Sequence, residues 1–216
     1  MNMIELRKVN KSFGNHHVIK DLSFRVEEGT ITSLMGDSGS GKSTLLNMIG
    51  LLEKVDGGEI RIRGKKIPKI NSKKAVLFRR NCINYLFQSF ALITDMSVKE
   101  NLKIAMNFMK LNHKEKDAKI KNILEQLNME RRINQKINTL SGGEQQRVAL
   151  ARGILKPGNL ILADEPTGSL DEKMSETVFD ILKNVRDEYK KTILIVTHDP
   201  KIGEAADQMI RLPSQF

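Results

Sequence analysis

Gly36-Asp37-Ser38-Gly39-Ser40-Gly41-Lys42-Ser43 fits the pattern G-x-x-x-x-G-K-[ST]. In such a loop glycine backbone N–H groups wrap nucleotide phosphates, the lysine reaches the β and γ oxygens, and the hydroxyl holds Mg²⁺. Gly36, Asp37, Ser38, Gly39, Ser40, Gly41, Lys42 and Ser43, with the following Thr44, are therefore candidate ATP contacts. The pattern has meaning only between a strand and a helix. Thr30-Ile31-Thr32-Ser33-Leu34-Met35 is a β-like run leading straight into it, and Leu45, Met48, Ile49 and Leu52 recur behind it at helical spacing.

Upstream, the short β-like runs Ile4 to Val9 and Leu22 to Val26, and downstream Glu59 to Arg63, are separated by turn signals at Gly14, Glu28-Gly29 and Asp56-Gly57-Gly58. They predict an antiparallel lead-in. His16 and His17 read as turn residues. From about Ser89 to Pro157 the pattern is almost wholly helical: Ser97-x-x-Glu100 is a capping box, and Ile120, Ile123, Leu124 and Leu127 mark an amphipathic helix. Ser141-x-x-Glu144 is a second capping box, inside Leu140-Ser141-Gly142-Gly143-Glu144-Gln145-Gln146-Arg147. Leu160 to Ala163 and Ile193 to Val196 are continuous apolar runs, as expected of parallel strands covered on both faces. A helix bearing Met174, Val178, Ile181, Leu182 and Val185 separates them, and this order places a nucleotide site at the C-terminal edge of the sheet.

The chain of 216 residues is long enough to bury a sizeable core. Its longest nearly apolar run, Leu45 to Leu52, falls far short of the ~18 residues a membrane span requires, so the chain is expected to be soluble by itself. The N-terminus lacks the layout of a signal peptide and Cys82 is the only cysteine, which predicts a cytosolic address. Four histidines and one cysteine show no zinc spacing, so any metal is expected to arrive with the nucleotide. The net charge of +10 invites a nucleic-acid partner, but the 36 basic residues read as spread along the chain, and none is expected. A solvated lysine surface and attraction to an anionic inner leaflet both stay open.

Asp164-Glu165 follows directly on the apolar run Leu160 to Ala163, which delivers both carboxylates to the edge where the phosphate loop lies. The aspartate suits Mg²⁺ held with Ser43, and the glutamate suits orienting and polarising an attacking water. Taken with these, Phe13, Phe87-Gln88-Ser89-Phe90, the Ser141 signature, Ser169-Leu170-Asp171 and Val196-Thr197-His198-Asp199 occur in a telling order. From about Ile4 to Leu212 the chain resembles the nucleotide-binding subunit of an ATP-binding cassette (ABC) transporter.

The resemblance implies an α/β fold: a P-loop NTPase core of RecA-like type with an antiparallel β subdomain and an inserted α-helical subdomain. It implies one domain over 1–216, with the core in 1–88 and 158–216 and the helical part in 89–157. ATP and Mg²⁺ are the implied cofactors. Phe13 resembles the aromatic that stacks on adenine, and Gln88 the glutamine linking Mg²⁺ to the membrane partner, so Ser43, Gln88 and Asp164 form the implied metal set. Glu165, His198 and Gln88 form the implied catalytic set, with His198 touching the γ-phosphate. Ser141, Gly142, Gly143 and Glu144 would face the ATP of a second copy, and Ser169 and Asp171 would lie at that head-to-tail dimer interface.

Residues 36–47, 87–90 and 163–171 look most like the subfamily serving macrolide-export, lipoprotein-release and bacteriocin-export permeases. The implied partner is a separate transmembrane permease, reached through a docking surface around Gln88 to Asn101, at the cytoplasmic side of the cell membrane. The end of the chain soon after Leu212 argues for an exporter. A cassette ATPase acting on ribosomes or DNA is the alternative; the lack of a second cassette or of inserted coiled coils speaks against it. A P-loop kinase fails on the signature.

Overall fold

The structure, a computed structural model, describes residues 1–87, 90–168 and 172–213. Strands β1 (Asn2–Phe13) and β2 (His16–Glu27) pair antiparallel. Residues 14–15 make the turn, with Gly14 at φ 57. His16 and His17 are therefore not turn residues: both open β2, where His16 pairs with Phe13 and His17 with Ser12. In β1, Ile4 and Leu6 point into the core while Glu5 and Arg7 point outward, because side chains alternate faces along a strand.

Strand β3 (Ile31–Met35) feeds the phosphate loop, and α1 (Lys42–Ile49) follows it. Strands β4 (Gly57–Ile62) and β5 (Lys65–Lys66) return to the first sheet, giving the order β2-β1-β4-β5. Helix α2 (Lys73–Cys82) was not anticipated, because its only buried residue is Ala75 and no apolar periodicity announces it. Strand β6 (Ile83–Leu86) comes next. The expected helical stretch contains α3 (Val98–Ala105), α4 (His113–Gln126), single 3₁₀ turns at Glu130–Arg132 and Ile137–Thr139, and α5 (Gly142–Leu155). Residues 90–96 are not helical, with Phe90 and Ala91 at φ 60 and 50. Capping boxes stand at Ser97 and Ser141 as the sequence reads, and a third at Asn112.

Strand β7 (Leu160–Asp164), helix α6 (Glu172–Tyr189), strand β8 (Thr192–Val196), helix α7 (Pro200–Ala205) and strand β9 (Gln208–Arg211) complete the chain. The second sheet runs β6-β7-β8-β3-β9 and is parallel throughout. Its apolar strands serve two cores. Ile161, Ala163, Ile193 and Ile195 pack on the side of α3, α4, α5 and α6. Leu160, Leu162, Leu194 and Val196 pack on the opposite side with α1 and the antiparallel sheet. Every residue of β8 is buried, which is why these strands read as unbroken apolar runs.

Candidate nucleotide site

Parallel pairing brings the ends of β3, β7 and β8 to one edge, so the segments following Met35, Asp164 and Val196 meet there although they lie far apart in the chain. An open cleft of about 600 Å³ results, lined by Gly39, Lys42, Ser43, Glu165 and His198 among others. Ser38, Gly36, Gly41 and Thr44 also face it.

The phosphate loop owes its shape to its glycines. Gly41 has φ 87, and a Cβ there would come within 2.9 Å of Val18 Cγ1. Gly36 has φ 157, and a Cβ there would meet Ser40 Oγ at 2.8 Å. Gly41 stands at the N-cap of α1 and supplies no side-chain cap, whereas α2, α3, α4, α5 and α7 all have one. The first-turn N–H groups of α1 thus point into the cleft's mouth without a side-chain acceptor, at the positive end of the helix dipole. Ser40 Oγ is buried and among the described residues has no hydrogen-bond partner. Lys42 Nζ donates to the carbonyls of Gly36 at 2.8 Å and Asp37 at 2.7 Å, and its charge acts on the Asp164 carboxylate across the loop. An uncapped helix start, an orphaned hydroxyl and an ammonium gathered at the loop by backbone carbonyls together fit a polyphosphate.

Opposite the loop, Ser43 Oγ donates to Asp164 Oδ1 at 3.1 Å. Burial raises the Asp164 carboxyl above the usual range, against the lowering hydrogen bond from Ser43, while the neighbouring Glu165 raises it further. A divalent cation would stabilise that ionised form, and this pair of oxygens suits one. Glu165 adopts left-handed backbone, φ 47, fastened by its N–H to the Val196 carbonyl at 3.0 Å. That turn directs its carboxylate at His198, whose Nδ1 lies 2.9 Å from Glu165 Oε2. Phe13, 49% exposed, forms one wall of the cleft, with Lys11 Nζ 4.6 Å above its ring.

Ser141, Gly142, Gly143 and Glu144 do not line this cleft. They start α5 elsewhere on the surface: Glu144 N–H donates to Ser141 Oγ at 3.3 Å, Ser141 N–H donates to Glu144 Oε2 at 2.8 Å, and Arg132 holds the other Glu144 oxygen at 2.9 Å. Among the described residues nothing lies within 4 Å of where a Gly142 Cβ would be. Gln88, Ser169 and Asp171 lie outside the described residues, as does Ser89. Val18 belongs to the cleft and was missed, since a single valine in a strand carries no functional signal.

A second depression, about 470 Å³, lies between α2, α3, β6 and the end of α5. Leu52, Val76, Tyr85, Phe87, Ile104 and Phe108 make most of its apolar wall, and Phe108 is 70% exposed. Arg80 sits with its guanidinium 4.5 Å from the Phe108 ring centroid. This groove is flanked by Phe87 and by residues 104–108, not by the 90–101 stretch expected to receive a partner.

A phosphate loop between strand and helix, an acidic pair at the adjoining strand end, and a helix start bearing Ser-Gly-Gly define an ATP-binding cassette, and the chain belongs to the ABC transporter family, whose profile matches residues 19–168. It is 37% identical to the macrolide export ATP-binding/permease protein MacB of Aggregatibacter actinomycetemcomitans over 98% of this chain. The chain spans 33% of that relative's length, about a third. It is also 37% identical to the lipoprotein-releasing system ATP-binding protein LolD of Porphyromonas gingivalis, covering 97% of this chain and 96% of that one. Among solved structures, the dimeric ABC transporter cassette MJ0796 superposes with a TM-score of 0.88 at 37% identity, over 97% of this chain and 94% of the other. A post-hydrolysis MJ0796 dimer bound to ADP and Pi gives a TM-score of 0.86 at 36% identity, with the same coverage. Among the described residues no helix is long and apolar enough to cross a membrane.

Proposed function

We propose that this chain acts as one unit, the ATP-hydrolysing component of an exporter, working as a head-to-tail pair against a membrane permease. The observation that carries this reading is the division of labour across the surface. One cleft collects Lys42, Ser43, Glu165 and His198, with Asp164 bonded to Ser43, while the Ser141 helix start lies outside it. A second copy could present that helix start to the first copy's nucleotide, and the dimeric form of the related MJ0796 supports such a pairing.

Lys42 and the first-turn N–H groups of α1 would grip the β- and γ-phosphates, and Phe13 would cover the adenine. Mg²⁺ entering with ATP would be held by Ser43 and Asp164, with Gln88 the third expected ligand, and supplies charge neutralisation on the phosphates. Glu165 would accept a proton from the attacking water, and His198, 2.9 Å away, would steady that carboxylate and reach the γ-phosphate. Ser141, Gly142 and Gly143 of the second copy would add a hydroxyl, N–H donors and a helix dipole, so the nucleotide joins the two copies and its hydrolysis lets them part. Ser169 and Asp171 are proposed for the same interface.

The groove beside α2 is the proposed seat for a short segment of the permease, at the cytoplasmic face of the membrane. Likeness to MacB and LolD supports an exporter of a drug, peptide or lipoprotein. Hydrolysis of MgATP by the purified chain, with and without the permease, tests the reading. Failure to hydrolyse in either setting, or cysteines at Phe108 and Val76 that never cross-link to the permease, would overturn it.

A further inference from the structure

Between Ile60 and Thr94 the chain carries nine Lys or Arg and no Asp or Glu, so 35 of 216 residues hold nearly all of the +10 net charge. Basic residues are denser here than in the chain at large, nine in 35 against 36 in 216, and no acid offsets them. In the fold this segment runs through β5, the turn after it, and α2. Lys65, Lys69, Lys73 and Lys74 are exposed, and among the described residues they make no ion pair. Lys66 differs, sharing Glu59 with Arg7 and Arg61.

Helix α2 is unusual in what it leaves outside. Val76 and Leu77 are 52% and 46% exposed and share one arc with Lys73 and Lys74, while only Ala75 is buried. A helix of a globular protein ordinarily turns such residues to the core; interleaved lysines and aliphatic side chains on one exposed arc suit a headgroup layer. The arc is continuous with the groove, since Val76, Arg79 and Arg80 line the groove as well. Surfaces that hold single-stranded nucleic acid add aromatic platforms for bases, and this arc presents aliphatic side chains instead.

We propose that the face formed by β5, the following turn and the outer arc of α2 rests on anionic phospholipid headgroups beside the docked permease. The orientation rests on reading the groove as the permease seat; the lipid contact itself needs no permease. Each lysine brought to an anionic surface strengthens binding about fivefold, so four together give on the order of a few hundredfold, within a Debye length.

Flotation of the purified chain with phosphatidylcholine vesicles, with and without phosphatidylglycerol, tests this. Binding is expected only to vesicles containing phosphatidylglycerol, to fall with added salt, and to drop about a hundredfold or more in the quadruple variant Lys65→Gln, Lys69→Gln, Lys73→Gln, Lys74→Gln. A matched quadruple on exposed positions elsewhere, Lys110→Gln, Lys114→Gln, Lys119→Gln and Lys121→Gln, should bind as the parent does. The proposal is overturned if the parent ignores phosphatidylglycerol, if both quadruples weaken alike, or if the patch lysines bind a DNA duplex at a salt concentration where vesicles are not held. The patch lies away from the cleft, so both quadruples should keep the parent's ATP-induced thermal shift. Loss of that shift in the parent with vesicle binding intact would sink the nucleotide reading and leave this one standing.

Discussion

Glu165 holds a left-handed backbone, φ 47, that costs a non-glycine residue roughly 1–3 kcal/mol, and the Val196 carbonyl that fastens it belongs to the adjacent strand. The strain aims a carboxylate across the cleft, which a regular strand continuation would turn away. Replacing Glu165 with glutamine keeps the shape and removes the proton acceptor, so hydrolysis should fall ~10² to 10⁴-fold while ATP binding survives. Single-turnover kinetics beside an ATP-binding titration check this, and parent-rate hydrolysis would acquit Glu165. For Lys42→Ala we expect loss of the stabilisation by MgATP, which for the parent at ~100 times the dissociation constant is about 2.7 kcal/mol. Calorimetry with and without MgATP measures it. Arg152 is a third informative residue: its guanidinium, half-buried, donates to the carbonyls of Ala91 at 2.6 Å and Phe90 at 2.9 Å. Those two left-handed residues lie in the stretch before α3, and Ala91 is exposed, so the freed carbonyls can turn to water and Arg152→Met should cost about 1 kcal/mol. Urea denaturation reads that loss, and an unchanged midpoint would show that the loop holds itself.

Helices α1 and α5 treat their ends in opposite ways. The α1 start is bare, which suits a ligand; the α5 start is closed by its own capping box, so Ser141 presents a hydroxyl already fixed in direction. At the other end of α5, Lys191 Nζ donates to the carbonyls of Ile154 at 2.9 Å, Lys156 at 3.1 Å and Gly153 at 3.4 Å. Lys156 in turn donates to Ile83 and Arg79 carbonyls, which ties the helix end to β6 and α2. Burial, with the Lys156 charge nearby, pushes Lys191 down from 10.5 to about 8. Between those pH values the unfolded chain binds the extra proton, so this lysine makes stability rise with pH across the window. Measured against Lys191→Met, the parent should gain up to roughly 3 kcal/mol from pH 8 to pH 10.5. A parent-minus-variant difference that stays flat would contradict a Lys191 whose burial makes its proton easier to lose in the folded chain.

At the scale of the molecule, the exposed Ser141–Gly142 helix start and the Glu165 cleft occupy different places on one surface, so neither is complete alone in the proposed cycle. Glu165→Gln should therefore accumulate as an ATP-bound dimer, since hydrolysis no longer releases the pair. Adding Ser141→Arg should return it to monomers, because the new side chain would crowd the donor array and cost the cap about 1 kcal/mol. Light scattering with MgATP distinguishes the two. A Glu165→Gln chain that remains monomeric would oppose the head-to-tail reading.

Six strands, the phosphate loop and two capping boxes were legible in the sequence because each rests on local rules: side-chain alternation, glycine's access to positive φ, and a polar side chain within reach of a helix's first N–H groups, whereas the short β5, β6 and β9 were not. The burial of β7 and β8 on both faces was legible too, since an unbroken apolar run has no other stable home. Three things needed the tertiary structure. Helix α2 shows no apolar period, because the molecule buries almost nothing of it, and only its position beside the groove gives its lysines meaning. Glu165 and His198 come within 2.9 Å although 33 residues separate them, a proximity made by the parallel pairing of β7 with β8. The place of Ser141 outside the cleft was likewise decided by packing: α5 shares its core with α3, α4, α6 and one face of the sheet, while the phosphate loop rises from β3, between β8 and the edge strand β9. Local chemistry is written in short stretches of chain, but distance between sites is a property of the packed cores that hold those stretches apart.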